Sequence, residues 1–329
     1  MQKSFGWCFI GCGKITERVM VDLPKTNGGY VAAVTSRVAA HREAFAEKYG
    51  AKAYETAEQA ISDSNVKAVY VASPHKTHTE YTILALKMGK PVLCEKPFAI
   101  TTSEAREMIE TAKKNNVYLL EGMWTRHNPA IKKAMEWIAE GRIGKIKSVW
   151  ADFALDNTAE SVTSPQFDLN HAGGSIIELG VYPIALSQFV FDAMPERISA
   201  IAEFTDTGVD GMCAVNLAYK NGGLSHLFSG ITVKTGHEGI IFGEKGLITL
   251  PQFWCPDTAT LMTDTGSETF NVNKHGEGFF FEFDAAMDDI RAGKKENEFV
   301  SHEYTMRVME ILTKVRSQIG LRYPFEKQK

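Results

Sequence analysis

The chain lacks any pair of cysteines close enough to read as a redox or metal motif. Its five, Cys8, Cys12, Cys94, Cys213 and Cys255, are scattered, odd in number and free of Cys-x-x-Cys spacing. That argues against a disulfide-stapled secreted module and fits reduced thiols in a cytosol. An excess of one charge is missing too: 36 Lys and Arg stand against 40 Asp and Glu, a net charge of -4 with the signs interspersed. There is then no basic face for nucleic acid and no polybasic patch for a membrane. No apolar run approaches the roughly 20 residues of a membrane span. The first apolar strand begins within a few residues of the start, which leaves no room there for a signal peptide. No Cys, His and acidic residues share metal-ligand spacing, so no catalytic metal is expected. Internal repeats and low-complexity segments are absent as well. The expectation is a cytoplasmic protein with small-molecule partners.

What is present is an ordinary globular composition over 329 residues, a length that suggests two domains. The first third alternates short apolar strands with helical patterns, as in a parallel sheet covered on both faces. Strands are expected at 6–10, 31–34, 68–72, 92–94 and 117–120, with helices over 39–49, 77–88 and 103–115. This predicts an α/β, Rossmann-type doubly wound domain over residues 1–122. From 123 to 329 the pattern changes to a helix at 129–140 followed by alternating stretches at 146–153, 198–204, 213–219 and 224–231. These predict an α+β domain with a large, mostly antiparallel open sheet. Phe280, Phe283, Met287 and Ile290 mark one later helix face, and Tyr304, Val308, Ile311, Leu312 and Val315 another. Such stripes read as core.

Several short motifs carry chemistry. Gly11-Cys12-Gly13 closes the first strand and opens the helical run beginning Lys14-Ile15. Gly11 permits the tight turn, Gly13 the approach of a pyrophosphate to the backbone, and the helix N-terminus faces its charge. The third glycine of the fingerprint is replaced by Thr16, whose side chain must fit where helix and strand pack. After the second strand, Ser36-Arg37 stands where an NAD site usually places an acid. A hydroxyl and a guanidinium suit a 2'-phosphate, which favours NADP over NAD, while a solvated loop arginine is the plainer alternative. Ser73, Pro74, His75 and His78 lie at the carboxyl edge of a later strand, where ligands of open sheets bind. Thr77 also reads there as a helix N-cap, and His78 reads more readily as a partner of nearby backbone than as a ligand. Glu95-Lys96-Pro97 follows the next strand, so Lys96 projects into the same crevice, where an ammonium stabilises a developing alkoxide or lowers the pKa of a neighbouring acid. Glu95 offsets its charge. A surface Glu-Lys pair before proline is the alternative.

These segments, with Gly173-Gly174-Ser175-Ile176-Ile177-Glu178-Leu179-Gly180-Val181-Tyr182-Pro183, resemble in order the glucose-fructose oxidoreductase / inositol dehydrogenase / MocA superfamily over essentially the whole chain. Glu121 to Arg126, Gly208-Val209-Asp210 and Phe253-Trp254-Cys255-Pro256 are most similar to its dimeric dihydrodiol dehydrogenase branch, which includes NADP-dependent D-xylose dehydrogenases. The resemblance implies a homodimer through the open sheet, a catalytic lysine at Lys96 and a catalytic tyrosine at Tyr182, where many other members carry His. Glu178 departs from the Asp usual in that motif, which bears on substrate choice. Family members often have a cis bond before this proline, here Lys96-Pro97. Trp124, Arg126, Phe153, His171, Trp254 and Phe279 are candidates for the substrate pocket, since aromatics pack against sugar rings, although they also fill cores.

The chemistry so implied is hydride transfer between a nicotinamide and a sugar, polyol, diol or related carbonyl compound. A phenol accepts the hydroxyl proton if its pKa is lowered, and the ammonium of Lys96 would favour the phenolate of Tyr182. On spacing alone Tyr182 reads as a buried helix residue; the resemblance reverses that. Two alternatives stay open: a non-catalytic NADP sensor, and a redox-neutral enzyme that uses bound dinucleotide transiently.

Overall fold

The computed structural model describes residues 4–160, 164–273 and 275–326. Phe5–Ile10 (β1) is buried along its whole length, as a central strand covered on both faces must be, which is why it reads as a continuous apolar run. It is followed by α1 (Lys14–Asp22), β2 (Gly29–Thr35), α2 (Ala39–Tyr49), β3 (Lys52–Tyr54), α3 (Ala57–Ile61), β4 (Val66–Val71), α4 (His78–Lys87), β5 (Val92–Glu95), α5 (Thr102–Asn115) and β6 (Leu119–Gly122). The six strands pair in parallel in the order β3-β2-β1-β4-β5-β6, a doubly wound sheet whose order reverses between β1 and β4. Local chemistry sets the helix ends. Thr101 and Glu104 form a reciprocal capping box at the start of α5, and Asn116 closes it at φ 53°.

The chain continues through α6 (Pro129–Ala139), β7 (Ile146–Ala154), α7 (Ser175–Glu178), α8 (Val181–Phe191), β8 (Arg197–Phe204), β9 (Asp210–Ala218), β10 (Leu224–Gly230), β11 (Glu238–Gly243), β12 (Gly246–Pro251), β13 (Thr258–Thr263) and β14 (Gly266–Asn271). The eight strands form one sheet in the order β14-β13-β12-β11-β7-β10-β9-β8. Its strand pairs are antiparallel except β7 with β10. Residues 181–189 of α8 are all buried, and a helix that is apolar all round belongs in a core. Side chains alternate along β7: Val149, Ala151 and Phe153 are buried, while Trp150 is 51% exposed. Two helices, α9 (Phe280–Arg291) and α10 (His302–Ile319), close the chain.

The expected single cut between 122 and 123 gives way to a discontinuous division. Met1–His127 with Lys274–Met306 forms one unit, and Asn128–Asn273 with Arg307–Lys329 the other. The physical reason lies in α9, whose Phe283 ring packs edge-on against Trp7 of β1 at 5.0 Å and Tyr70 of β4 at 5.1 Å. The apolar face of residues 280–290 belongs to the first sheet, and Phe279 goes with it.

Candidate dinucleotide and substrate sites

The end of β1 meets the ends of β2 and β4 at Gly11. Its N–H donates to Thr35 at 3.0 Å. At φ 117°, a Cβ there would lie 2.3 Å from the Ala72 carbonyl oxygen, so only glycine fits. Gly13 differs: a Cβ would meet no protein atom within 4 Å. It is the N-cap of α1 and makes no side-chain cap bond, which leaves the first N–H groups of the helix for an anion. Thr16, at the third fingerprint position, is fully buried and its hydroxyl donates back to the Gly13 carbonyl at 2.7 Å. The larger side chain is thus accommodated by tying down the turn.

A cavity of about 560 Å³ opens at these strand ends. Gly11, Gly13, Ser36, Arg37, Ser73 and Pro74 from the expected set line it, together with Cys12, His41, Glu55, Glu58 and Tyr81. Room beside Gly13, uncapped N–H groups and an exposed guanidinium at Arg37 fit the phosphates of a dinucleotide. Glu55 and Glu58 had no motif to announce them, since they sit around the start of the short α3. Tyr81 was legible only as one face of α4, with Glu80 and Leu84. Lys14 and Ile15 form the first turn of α1 and are not among the lining residues.

His78 lies inside the fold. It is 1% exposed, and its ring nitrogens lie 2.9 Å from the carbonyls of Pro97 and Ser73. Burial, assisted by His75, whose ring centroid is 5.5 Å away, pushes it down to about 3 despite those carbonyls. His78 thus sits between the loops after β4 and β5, its neutral ring donating to one of the two carbonyls, and it is not among the residues that line the cavity. The Thr77 hydroxyl does not cap α4; it donates to Ser73 Oγ and the Pro74 carbonyl, both at 2.8 Å.

Lys96 follows β5, half-buried, and its bond to Pro97 is cis. Glu95 points inward rather than to the cavity. It is 5% exposed, accepting the Tyr70 hydroxyl at 2.6 Å and the Lys96 N–H at 3.2 Å. Burial raises its pKa, while Tyr70 and Lys96 draw it back.

The substrate candidates fall into two sets. In the first unit Trp124 stacks on Phe279, centroids 4.1 Å apart and planes within 10°. Phe279 is held there by Asp22, whose carboxylate accepts the N–H groups of Glu277, Gly278 and Phe279 at 3.0, 2.7 and 2.8 Å. Arg18 pairs with Glu277 at 2.6 Å and lies 5.3 Å over the Phe279 ring. Arg126 donates to the Phe299 carbonyl at 3.2 Å. In the second unit Phe153 gathers Trp254, parallel at 5.2 Å, and Tyr182, edge-on at 5.3 Å. His237, which the sequence did not single out, completes this cluster 5.1 Å from Phe153. It is fixed by an N–H bond to Asp152 at 2.8 Å and a ring bond to the Ala154 carbonyl at 2.7 Å. Tyr182 is the second residue of α8 and 7% exposed. Glu178 is half-buried at the end of α7, and His171 pairs with Asp168 at 2.6 Å near the surface.

Residues 5–123 match the family described as oxidoreductases with an NAD-binding Rossmann fold, and residues 131–249 match the GFO/IDH/MocA C-terminal domain. Among characterised relatives, the trans-1,2-dihydrobenzene-1,2-diol dehydrogenase of Mus musculus is 30% identical, with 98% of this chain and 99% of the relative covered. That of Oryctolagus cuniculus is 31% identical over 94% and 96%. The fold is shared with a 3-ketoreductase from Actinomadura kijaniata solved with NADP and TDP-benzene, at a TM-score of 0.86 and 23% identity, covering 96% of this chain and 98% of the other. It is also shared with a levoglucosan dehydrogenase solved with NADH and levoglucosan, at 0.86 and 18%, covering 96% and 97%. With both halves matched, the chain belongs to the GFO/IDH/MocA family of oxidoreductases with an NAD-binding Rossmann fold.

Proposed function

We propose that this chain is a cytoplasmic, NADP-preferring dehydrogenase or reductase acting on a CH–OH group of a sugar, polyol or diol. The observation that carries the reading is the cavity at the carboxyl ends of β1, β2 and β4, which pairs an open Gly13 with the Ser36-Arg37 edge. Arg37 would meet the 2'-phosphate, offsetting Glu55 and Glu58 across the same cavity. Bound dinucleotide supplies the hydride acceptor or donor.

Tyr182 is the acid/base: its phenol takes the proton of the substrate hydroxyl in oxidation and returns it in reduction. Lys96 is its electrostatic partner, an ammonium that favours phenolate. The parallel Phe153–Trp254 pair beside Tyr182 offers an apolar platform to a ring-shaped substrate. Cyclic substrates fit this, as the names of the diol and levoglucosan dehydrogenases suggest. The second sheet leaves Trp150 and Ile201 at 51% and 77% exposure, and this face pairs with that of a second copy.

The test is the absorbance of reduced nicotinamide after mixing the protein with NADP+ or NAD+ and a panel of aldoses, polyols and trans-diols. Reduction that is faster with NADP+ supports the reading. Tight NADP binding without turnover replaces it with a sensor, and product without net cofactor reduction with a redox-neutral enzyme. Sedimentation as a monomer at assay concentration removes the dimer.

A further inference from the structure

Three glutamates lie inside the first unit: Glu95 at the end of β5, Glu121 on β6 and Glu282 in the first turn of α9, none more than 5% exposed. Glu95 accepts from Tyr70 and from the Lys96 N–H, and Glu121 accepts the Thr305 hydroxyl at 2.7 Å. Glu282 differs. It is fully buried, and neither of its carboxyl oxygens has a hydrogen-bond partner among the described residues. The next residue, Phe283, packs against Trp7 and Tyr70, so this turn is fixed against the tyrosine that serves Glu95. An ionised carboxylate without donors is costly in such a place, whereas an un-ionised acid gives up much less.

The groups that bear on Glu282 are few. Glu95 is the charge that acts on it. Tyr70 of β4 and Tyr118, just before β6, feel Glu282 in turn. Glu121, Lys96 and Arg18 of α1 act through Glu95. Asp289, on the same helix, is engaged by Tyr118, Asn297 and Lys294.

We propose that Glu95 and Glu282 form a one-proton pair, Glu282 holding the proton and Glu95 the charge, which fixes a single negative charge behind Lys96. The donors decide which member ionises: Glu95 has Tyr70 and the Lys96 N–H, and Glu282 has none. Burial and the Glu95 charge both push Glu282 well above the ordinary carboxylate range. Glu282 is thus a positioning residue. Its link to Lys96 rests on the function proposed above; the proton kept on Glu282 does not.

The pair makes stability depend on pH in a set direction. The folded protein keeps a proton that the unfolded chain releases above about pH 4.3, so the contribution is fully present below that pH and is lost as pH rises. Glu282→Gln and Glu282→Met cannot ionise. Their melting temperatures relative to the native protein are expected to climb in parallel between pH 5 and pH 9, by about 3 °C or more. A constant offset across that range overturns the pair. In the native protein an infrared band of un-ionised carboxyl should persist at pH 7 and weaken in Glu282→Met, with Glu121, which burial pushes up to about 7, supplying the remainder; a band of equal strength in the two proteins also overturns it. Glu95→Gln tests the link to Lys96. With its counter-charge gone, the alkaline limb of the kcat/KM profile should move to lower pH, and a limb that stays in place sinks that link while the melting series still decides the pair.

Discussion

Asp22 holds Phe279 by its backbone, with Oδ2 accepting the Phe279 N–H at 2.8 Å, 257 residues away in sequence. Glu277 and Gly278 donate to the same buried carboxylate. Replacing Asp22 with Ala leaves three N–H groups without their acceptor and is expected to cost about 3 kcal/mol or more. Asp22→Asn, which keeps an acceptor oxygen, should cost less. Urea unfolding measures both, and an Asp22→Ala loss below about 1 kcal/mol would show that these charge-assisted bonds contribute little to the fold.

The two glycines of the nucleotide turn should separate folding from binding. Gly11→Ala meets the Ala72 carbonyl at 2.3 Å with φ 117°, so stability is expected to fall by about 2 kcal/mol or more. Gly13→Ala meets nothing within 4 Å and should melt close to the native temperature while weakening NADPH binding at least about tenfold, a loss of about 1.4 kcal/mol. Thermal melts beside fluorescence titration of NADPH read the two effects. Unchanged NADPH affinity in Gly13→Ala would remove this turn from the cofactor site.

Arg37 and Tyr182 test cofactor choice and chemistry separately. Arg37→Ala is expected to weaken NADP binding by about 10- to 100-fold, the size of one charge-assisted contact, and NAD binding much less. Tyr182→Phe should lower kcat by about 100-fold or more with NADP affinity unchanged. Equal losses for both dinucleotides in the first variant, or full turnover in the second, would contradict these roles.

His78 gives the fold an acid limit. Its folded pKa lies near 3 against an ordinary 6.5, so the unfolded chain binds the proton first as pH falls. Its contribution is complete above about pH 6.5 and is lost toward pH 3, on the order of 4 kcal/mol at that end. His78→Gln, which cannot titrate, should lose less stability than the native protein between pH 7 and pH 4 in denaturant titrations. Parallel losses would assign the acid sensitivity to other groups.

Much of the first sheet was legible because a fully covered parallel strand must be apolar throughout, as β1 is, and because α5 carries its own periodic pattern, burying Ala105, Met108, Ile109 and Ala112. β3 escaped: its three residues Lys-Ala-Tyr have no apolar run, and pairing with β2 alone makes them a strand. In the second unit β11 to β14 were missed, since their sequences are mixed and their register comes from neighbours. Gly11, Gly13, Ser36, Arg37, Ser73 and Pro74 came together because they end successive parallel strands, a consequence of topology that motif order records. Glu282, Asp22 and the return of α9 to the first sheet were hidden, because each depends on a contact between residues far apart in the chain.

The His78 brace has a mechanical meaning. One neutral imidazole fills the space between the Ser73 carbonyl on one loop and the Pro97 carbonyl on the other, bonded to one and packed against the second, so the edge that would border a nicotinamide and the segment carrying Lys96 shift as one part. Their spacing is then inherited from a ring whose dimensions do not change, like a gauge block between two jaws. Substitutions elsewhere in either loop would move both jaws together and leave the gap between them as it was.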